Sequence, residues 1–191
     1  MERLELYAKE NNIPIMQKDG ILYLCNYIKE NNIKSILEVG SAIGYSSIMM
    51  ASIDKDIRIK TIEKDIDRYT IAVNNIKEYG YDNQIDIYLG DASDYSFDDK
   101  FDLIFIDAAK GKNTFFFEKF KNNLNIDGNI ITDNLSFHGL VEDEYLIKTK
   151  NQRGIVRKIK DYLLFLDNNE EFITEYISIG DRISISRRRN Q

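Results

Sequence analysis

Residues 36–46, ILEVGSAIGYS, decide the fold of this chain. A short apolar run ends at Gly40, and Gly44 follows just before a segment whose apolar residues have helical spacing. An apolar strand that turns through glycine directly into a helix is typical of the first βα unit of an open parallel sheet. Such sheets bind ligands at the carboxyl ends of their strands. We therefore expect the binding site to begin at Gly40.

The alternation of strand and helix patterns continues along the chain from this turn. Strand-like segments lie at residues 57–63, 84–92, 101–109 and 128–134, with helical segments between them. Two further strand segments flank Gly180 and Asp181, which predicts a hairpin. The sequence thus predicts an α/β protein with a seven-stranded, mostly parallel sheet, an antiparallel last strand and helices on both faces.

Length and composition favour a single domain over residues 1–191, with two N-terminal helices in residues 1–32. A net charge of −6 excludes a protein that binds nucleic acid through bulk positive charge. The single cysteine, Cys25, and the single histidine, His138, exclude an internal disulfide, a cysteine-based zinc site and a multi-histidine metal site. No apolar run has membrane-spanning length and no signal-peptide pattern is visible, so we expect a cytoplasmic protein without a membrane partner.

Acidic residues beside the glycine turn predict a nucleoside-binding site. Glu63 ends the second strand, where a carboxylate can accept hydrogen bonds from both ribose hydroxyls. Asp91 follows the third strand, where it can accept from an exocyclic amine, and Glu38 adds a third acid suited to a cationic ligand. The spacing of Gly40 and Gly44 lacks the middle glycine of dinucleotide sites, which disfavours an NAD-linked dehydrogenase. The pattern predicts an adenosine without phosphates, and so S-adenosylmethionine; an ordinary glycine turn with surface acids is the alternative.

Hard oxygen ligands follow the fourth and fifth strands. Asp107 ends one of these strands, and Asp133 and Asn134 end the other. If the two strands are neighbours, about 4.8 Å apart, the three side chains meet at one sheet edge. Carboxylate and amide oxygens suit Mg²⁺ or another oxygen-preferring divalent cation; simple helix caps are the alternative. Lys110 is close enough in sequence to face this site and accept a proton, or it is a solvated loop lysine.

These motifs resemble those of a known family. The segments ILEVGSAIGYSS, TIEKD, GDA, DLIFIDAAKGKN and IITDN occur in order and at matching spacing. Over nearly its whole length the chain is similar to the cation-dependent O-methyltransferases, the family of the caffeoyl-CoA and catechol O-methyltransferases. The resemblance implies a Rossmann-like class I methyltransferase fold, S-adenosylmethionine as cofactor and a homodimer formed through the N-terminal helices.

The resemblance also implies roles for individual residues. It assigns the metal to Asp107, Asp133 and Asn134, and proton abstraction to Lys110. It assigns cofactor binding to Met16, Gly40, Ser46, Glu63, Asp91, Ala92 and Asp107.

The methyl acceptor implied by this chemistry carries two vicinal oxygens. The compact chain is most similar to bacterial tRNA 5-hydroxyuridine methyltransferases, which make 5-methoxyuridine at the wobble position. A basic cluster could guide tRNA phosphates; it consists of Lys148, Lys150, Arg153, Arg157, Lys158 and Lys160. We place tRNA slightly ahead of a small catechol-like or hydroxycinnamoyl-type acceptor. A non-catalytic nucleoside-binding protein is the alternative from another functional class.

Overall fold

The computed structural model describes residues 1–108 and 110–189, so Ala109 and residues 190–191 of the predicted domain lie outside the described residues. The strands are β1 (Ser35–Val39), β2 (Arg58–Glu63), β3 (Ile85–Leu89), β4 (Phe101–Ile106), β5 (Leu124–Thr132), β6 (Phe172–Ile177) and β7 (Ile183–Arg188). The helices are α1 (Glu2–Glu10), α2 (Lys18–Glu30), α3 (Tyr45–Ala51), α4 (Ile66–Glu78), α5 (Asn113–Phe120) and α6 (Lys150–Asp167).

The strands form one seven-stranded sheet in the order β3-β2-β1-β4-β5-β7-β6. The strands β1 to β5 pair in parallel, while β7 runs antiparallel to both β5 and β6. This confirms the predicted α/β architecture with a seven-stranded, mostly parallel sheet and an antiparallel last strand. Because β1 and β4 are adjacent, and β4 and β5 are adjacent, the glycine turn and both acidic strand ends meet at the same edge.

Two hydrophobic cores, one on each face of the sheet, hold the layers together. Along β4, Leu103 and Phe105 belong to one core, whereas Ile104 and Ile106 belong to the other, which is the period-2 alternation of a strand. Helices α1 to α4 contribute to the first core, and α5 and α6 contribute to the second. A strand buried on both faces is mostly apolar, which explains the apolar runs in the sequence; Glu38 in β1 is a buried exception.

The N-terminal segment is docked against the hairpin that ends the fold. Gly20, buried in α2, lies so close to Gly180 that a Cβ on Gly180 would be 3.3 Å from the Gly20 backbone. Leu4 and Leu24 fix α1 and α2 in the first core. This packing carries Pro14 and Met16, in the connection between α1 and α2, to the edge of the sheet where the strands end. Within the part of the chain that the structure describes, no helix combines the length and apolar character needed to cross a membrane.

Cys25 on α2 provides a test of this helical packing. The thiol is half-buried, and burial raises its pKa to about 11. Because the thiolate is the reactive form, we expect iodoacetamide at pH 8 to alkylate native Cys25 at least about 10-fold more slowly than the unfolded chain. Mass spectrometry of timed samples, with and without denaturant, measures both rates. Equal rates would show that α2 does not shield the thiol.

Candidate active site

A cavity of about 390 Å³ opens where the parallel strands end, within the usual size range of small-molecule sites. The predicted residues that line it are Met16, Gly40, Ser46, Glu63, Asp91, Ala92, Asp107, Lys110 and Asn134. Glu38 and Asp133 do not line it. Most of the residues that the sequence singled out are therefore brought together around one space.

The glycine turn brings the ends of β1 and β4 into contact. Gly40 has a φ of +99°, and a Cβ at this position would lie 2.5 Å from the Asp107 carbonyl oxygen. Only glycine fits such a close approach in this backbone conformation. The Asp107 N–H donates to the Val39 carbonyl at 3.0 Å, which fixes the two strand ends side by side. Gly44, also at positive φ, then starts α3 and aims Ser46 at the cavity.

Glu38 is fully buried and supports the start of α3. Its carboxylate accepts hydrogen bonds from Ser46 Oγ at 2.5 Å, from Thr61 Oγ1 at 2.6 Å and from Ser47 Oγ. Burial raises the pKa of Glu38 to about 7, with a smaller contribution from the charge of Asp107. The structure therefore places Glu38 outside the cavity wall, where it acts on the cavity through Ser46.

Glu63 ties the glycine turn to the end of β2. One of its oxygens, Oε2, accepts from the Ala42 N–H at 2.8 Å, and the other, Oε1, accepts from the Asp65 N–H at 2.9 Å. The residue is only 5% exposed but lines the cavity. Each carboxylate oxygen has a second lone pair, so both can still accept from a diol. This arrangement suits the ribose-binding role predicted for Glu63.

Asp91 lines the same cavity just after β3, the strand next to β2, and hydrogen-bonds with two residues. Its Oδ1 accepts from the Ser93 N–H at 2.9 Å and from Ser93 Oγ at 2.6 Å, while Oδ2 accepts from Lys112 Nζ at 2.8 Å. The Lys112 ammonium, followed by the Ser93 hydrogen bonds, holds the pKa of Asp91 well below its usual range. Asp91 therefore stays ionised and can accept from an exocyclic amine.

The predicted metal ligands meet between β4 and β5. Asn134 Nδ2 lies 2.8 Å from Asp107 Oδ1 and 3.1 Å from Asp133 Oδ2, so the amide bridges the two carboxylates. Lys110 Nζ lies 3.1 Å from Asp107 Oδ1. Asn134 has a φ of +64°, a left-handed conformation that turns its side chain back toward the acids. Rotating the amide would aim its oxygen at the same point.

Of these two carboxylates, that of Asp133 has fewer hydrogen-bond partners among the described residues. It is 2% exposed, and its Oδ1 is buried without a hydrogen-bond partner among the described residues. Burial, followed by the charge of Asp107, raises the pKa of Asp133 to about 7. In residues 1–108 and 110–189 no three His, Cys, Asp or Glu side chains form a ready-made cation cluster. The candidate donor set is two carboxylates and one amide, with a buried oxygen that needs a partner.

Sequence reasoning assigned no role at this site to Lys112, Phe137 or Asp181. Lys112 lines the cavity and forms an ion pair with Asp91. Asp181, read only as a turn residue, is 3% exposed and accepts from the His138 N–H at 2.7 Å. His138, together with Phe137, lines the cavity in a positive-φ backbone conformation. Only spatial contact across the sheet reveals Asp181, because more than 40 residues separate it from its partner.

Comparison with known proteins adds a finding independent of this geometry. A family model described as O-methyltransferase matches residues 1–189 of the chain. The chain belongs to the O-methyltransferase family. A solved structure from Staphylococcus aureus, described as a candidate caffeoyl-CoA O-methyltransferase, is similar with a TM-score of 0.93 and 37% identity. The match covers 98% of this chain and 91% of that one.

Two relatives show how far the similarity to other O-methyltransferases extends. The caffeoyl-CoA O-methyltransferase of Populus kitakamiensis is 29% identical over 87% of this chain and 74% of its own length. The O-methyltransferase imqG of Aspergillus flavus is 32% identical over 68% of this chain. The chain spans 57% of imqG, so that protein's whole activity does not transfer directly.

The basic cluster of this O-methyltransferase lies on α6 and on the residues just before it. Lys160 forms an ion pair with Glu144. Lys158 extends toward the loop after β4, where a Cβ on Gly111 would lie 2.7 Å from its Nζ. Gly111 lies between Lys110 and Lys112, both of which line the cavity. Lys158 therefore brings the basic cluster close to the loop that lines the cavity.

Proposed function

We propose that this protein is an S-adenosylmethionine- and Mg²⁺-dependent O-methyltransferase that acts on small aromatic acceptors with vicinal oxygens, of catechol-like or hydroxycinnamoyl type. The observation that carries this proposal is the meeting of Asp107, Asp133 and Asn134 beside a nucleoside-sized cavity. We propose that one domain, residues 1–191, contains the whole site.

The cavity residues fit the cofactor. Glu63 and Asp91 both line the cavity at the ends of the adjacent strands β2 and β3, where one carboxylate suits a ribose diol and the other an exocyclic amine. Met16 is 3% exposed and brings an apolar side chain to the same cavity. The turn at Gly40 leaves no space for a side chain, so the backbone itself faces the ligand. S-Adenosylmethionine supplies the electrophilic sulfonium methyl group when it is bound.

The acid pair fits a divalent cation. Among the described residues, Asp133 Oδ1 is a buried oxygen without a hydrogen-bond partner, and the Asn134 amide donates to both carboxylates. A buried charge of this kind is stabilised when it coordinates a metal. Oxygen donors suit Mg²⁺ in particular. When bound, the cation favours the oxyanion form of an acceptor hydroxyl and orients it.

The remaining residues position the acceptor and handle its proton. Lys110, 18% exposed in its side chain, places its Nζ beside Asp107 on the cavity wall, within reach of a hydroxyl held there. Phe137 and His138 line the same cavity. Fixing the oxygen nucleophile in line with the methyl donor supplies much of the rate. We infer that Lys110 accepts the hydroxyl proton.

As the methyl acceptor, we rank small aromatic compounds ahead of tRNA. The similar proteins include a caffeoyl-CoA O-methyltransferase and a catechol O-methyltransferase, while a particular closeness to tRNA 5-hydroxyuridine enzymes stays a prediction. The observation that favours tRNA is the basic cluster, of which Lys158 approaches the cavity. A homodimer and a cytoplasmic location also stay predictions.

An acceptor assay tests the proposal and ranks its alternatives. We expect the purified protein with Mg²⁺ and S-adenosylmethionine to methylate catechol or caffeate, with activity lost in EDTA and restored by added Mg²⁺. Transfer of a radiolabelled methyl group to each small acceptor, and to tRNA containing 5-hydroxyuridine, gives the relative rates that rank these acceptors. Methylation of tRNA alone would make the wobble uridine the substrate. Cofactor binding without transfer to any of these acceptors would favour a non-catalytic nucleoside-binding protein.

A further inference from the structure

An ion pair between Lys112 and Asp91 crosses the cofactor side of the cavity. Asp91 follows β3 and Lys112 lies in the loop after β4, and these two strands are separated in the sheet by β2 and β1. Lys112 Nζ nevertheless lies 2.8 Å from Asp91 Oδ2, and both residues line the cavity. The two side chains are 44% and 36% exposed, so the pair belongs to the part of the cavity wall that solvent reaches.

The hydrogen-bonding capacity of this pair is only partly used. Asp91 Oδ1 already accepts two hydrogen bonds, both from Ser93. Its other oxygen, Oδ2, accepts from Lys112, and the described residues supply it with no second donor. A carboxylate oxygen accepts two hydrogen bonds and an ammonium donates three. Asp91 Oδ2 can therefore accept a further hydrogen bond from a ligand in the cavity, and the Lys112 ammonium directly beside it can donate one.

Apolar side chains line the same cavity as this ion pair. Ile62, Ala92 and Phe116 line the same cavity, and the Lys112 ammonium lies 5.8 Å from the centre of the Phe116 ring. A flat heteroaromatic base between apolar walls would present its edge to the ion pair. Adenine matches the pair, because its exocyclic amine is a donor and the ring nitrogens on either side of it, N1 and N7, are acceptors.

We propose that Lys112 reads the cofactor's base by donating a hydrogen bond to a ring nitrogen of adenine while Asp91 accepts from the adjacent amine. This inference rests on the proposed function, because it requires an adenosyl cofactor in this cavity. Lys112 is then a specificity-determining residue that recognises adenine together with Asp91. The opposite possibility is that Lys112 competes with the amine for Asp91, in which case removing the lysine would tighten binding.

Calorimetric titration with S-adenosylhomocysteine separates these possibilities without measuring activity. This ligand has an uncharged sulfur, so a change of charge at residue 112 acts on the base rather than on a sulfonium. We expect K112M to weaken binding about 10-fold, the effect of losing a hydrogen bond from a charged donor. K112R, which keeps a charged donor, should recover part of the loss. The matched control is K119M, since Lys119 also lies over a phenylalanine ring of α5, 5.6 Å from the centre of Phe120, but outside the cavity.

Deaza analogues identify the contact itself. We expect either the 1-deaza or the 7-deaza analogue of S-adenosylhomocysteine to bind the wild-type protein about 10-fold more weakly, and to bind K112M as well as the parent ligand does. Unchanged or tighter binding by K112M, or wild-type binding that is indifferent to both analogues, would overturn the role of Lys112. Failure of the wild-type protein to bind S-adenosylhomocysteine at all would instead reject the proposed cofactor, and this inference with it. Thermal melting of each variant checks that it is folded.

Discussion

Replacing Asp133 by alanine is expected to reduce methyl transfer to a vicinal diol by at least about 100-fold, because the substitution removes one of two carboxylates that would hold the cation. The same variant should bind S-adenosylhomocysteine normally, since Asp133 does not line the cofactor cavity. Single-turnover transfer to catechol at saturating Mg²⁺ measures the first effect, and calorimetry measures the second. A cation titration should show that D133A has also lost Mg²⁺ binding.

The stability of this variant separates loss of chemistry from loss of fold. Asp133 is buried, and its Oδ1 has no partner in the described part of the chain, so its removal leaves no donor unsatisfied except the Asn134 amide. We expect D133A to melt at or above the wild-type temperature. D127A is a matched control, because Asp127 is an exposed residue of β5, the strand that Asp133 directly follows. Full activity of D133A, or equal loss in D127A, would contradict the role of Asp133.

The sequence predicted those parts of the fold that depend on local pattern. The apolar runs that end at Gly40, Glu63 and Asp107 predicted where β1, β2 and β4 end. The strand order was not predicted, because local pattern does not reveal that β1 lies between β2 and β4 and that β3 lies at the edge of the sheet. The meeting of Asp107 with Asp133 and Asn134 was predictable because both strand ends face the same edge of a parallel sheet.

The roles of Glu38 and Lys112 could not be predicted in the same way. Glu38 lies in a strand buried on both faces, so its position in the sequence does not reveal whether it faces the ligand or the helix behind it. The structure shows it enclosed by Ser46, Ser47 and Thr61. Lys112 pairs with Asp91 across two intervening strands, a contact set by loop conformation rather than by spacing. Long-range polar contacts of this kind carry no periodic signal.

Glu38 should make the stability of the protein depend on pH. Its folded pKa, raised to about 7 by burial, exceeds the ordinary value of 4.5. Between these values the folded state holds a proton that the unfolded state has released, so stability falls as pH rises. The contribution is fully present below pH 4.5 and is lost as pH passes through about 7. The shift corresponds to up to about 3 kcal/mol.

Glutamine at this position keeps the shape but cannot ionise, so E38Q should lack this dependence. We expect the unfolding free energy of E38Q, relative to wild type, to rise by about 2–3 kcal/mol between pH 5 and pH 8, as measured by urea denaturation at each pH. E10Q, at the exposed end of α1, serves as the control and should track the wild type. Parallel profiles for E38Q and wild type would mean that Glu38 is ionised in the folded protein at every pH tested. Its three hydroxyl donors would then have to stabilise a buried charge completely, and the start of α3 would be held by an anion rather than by a neutral acid.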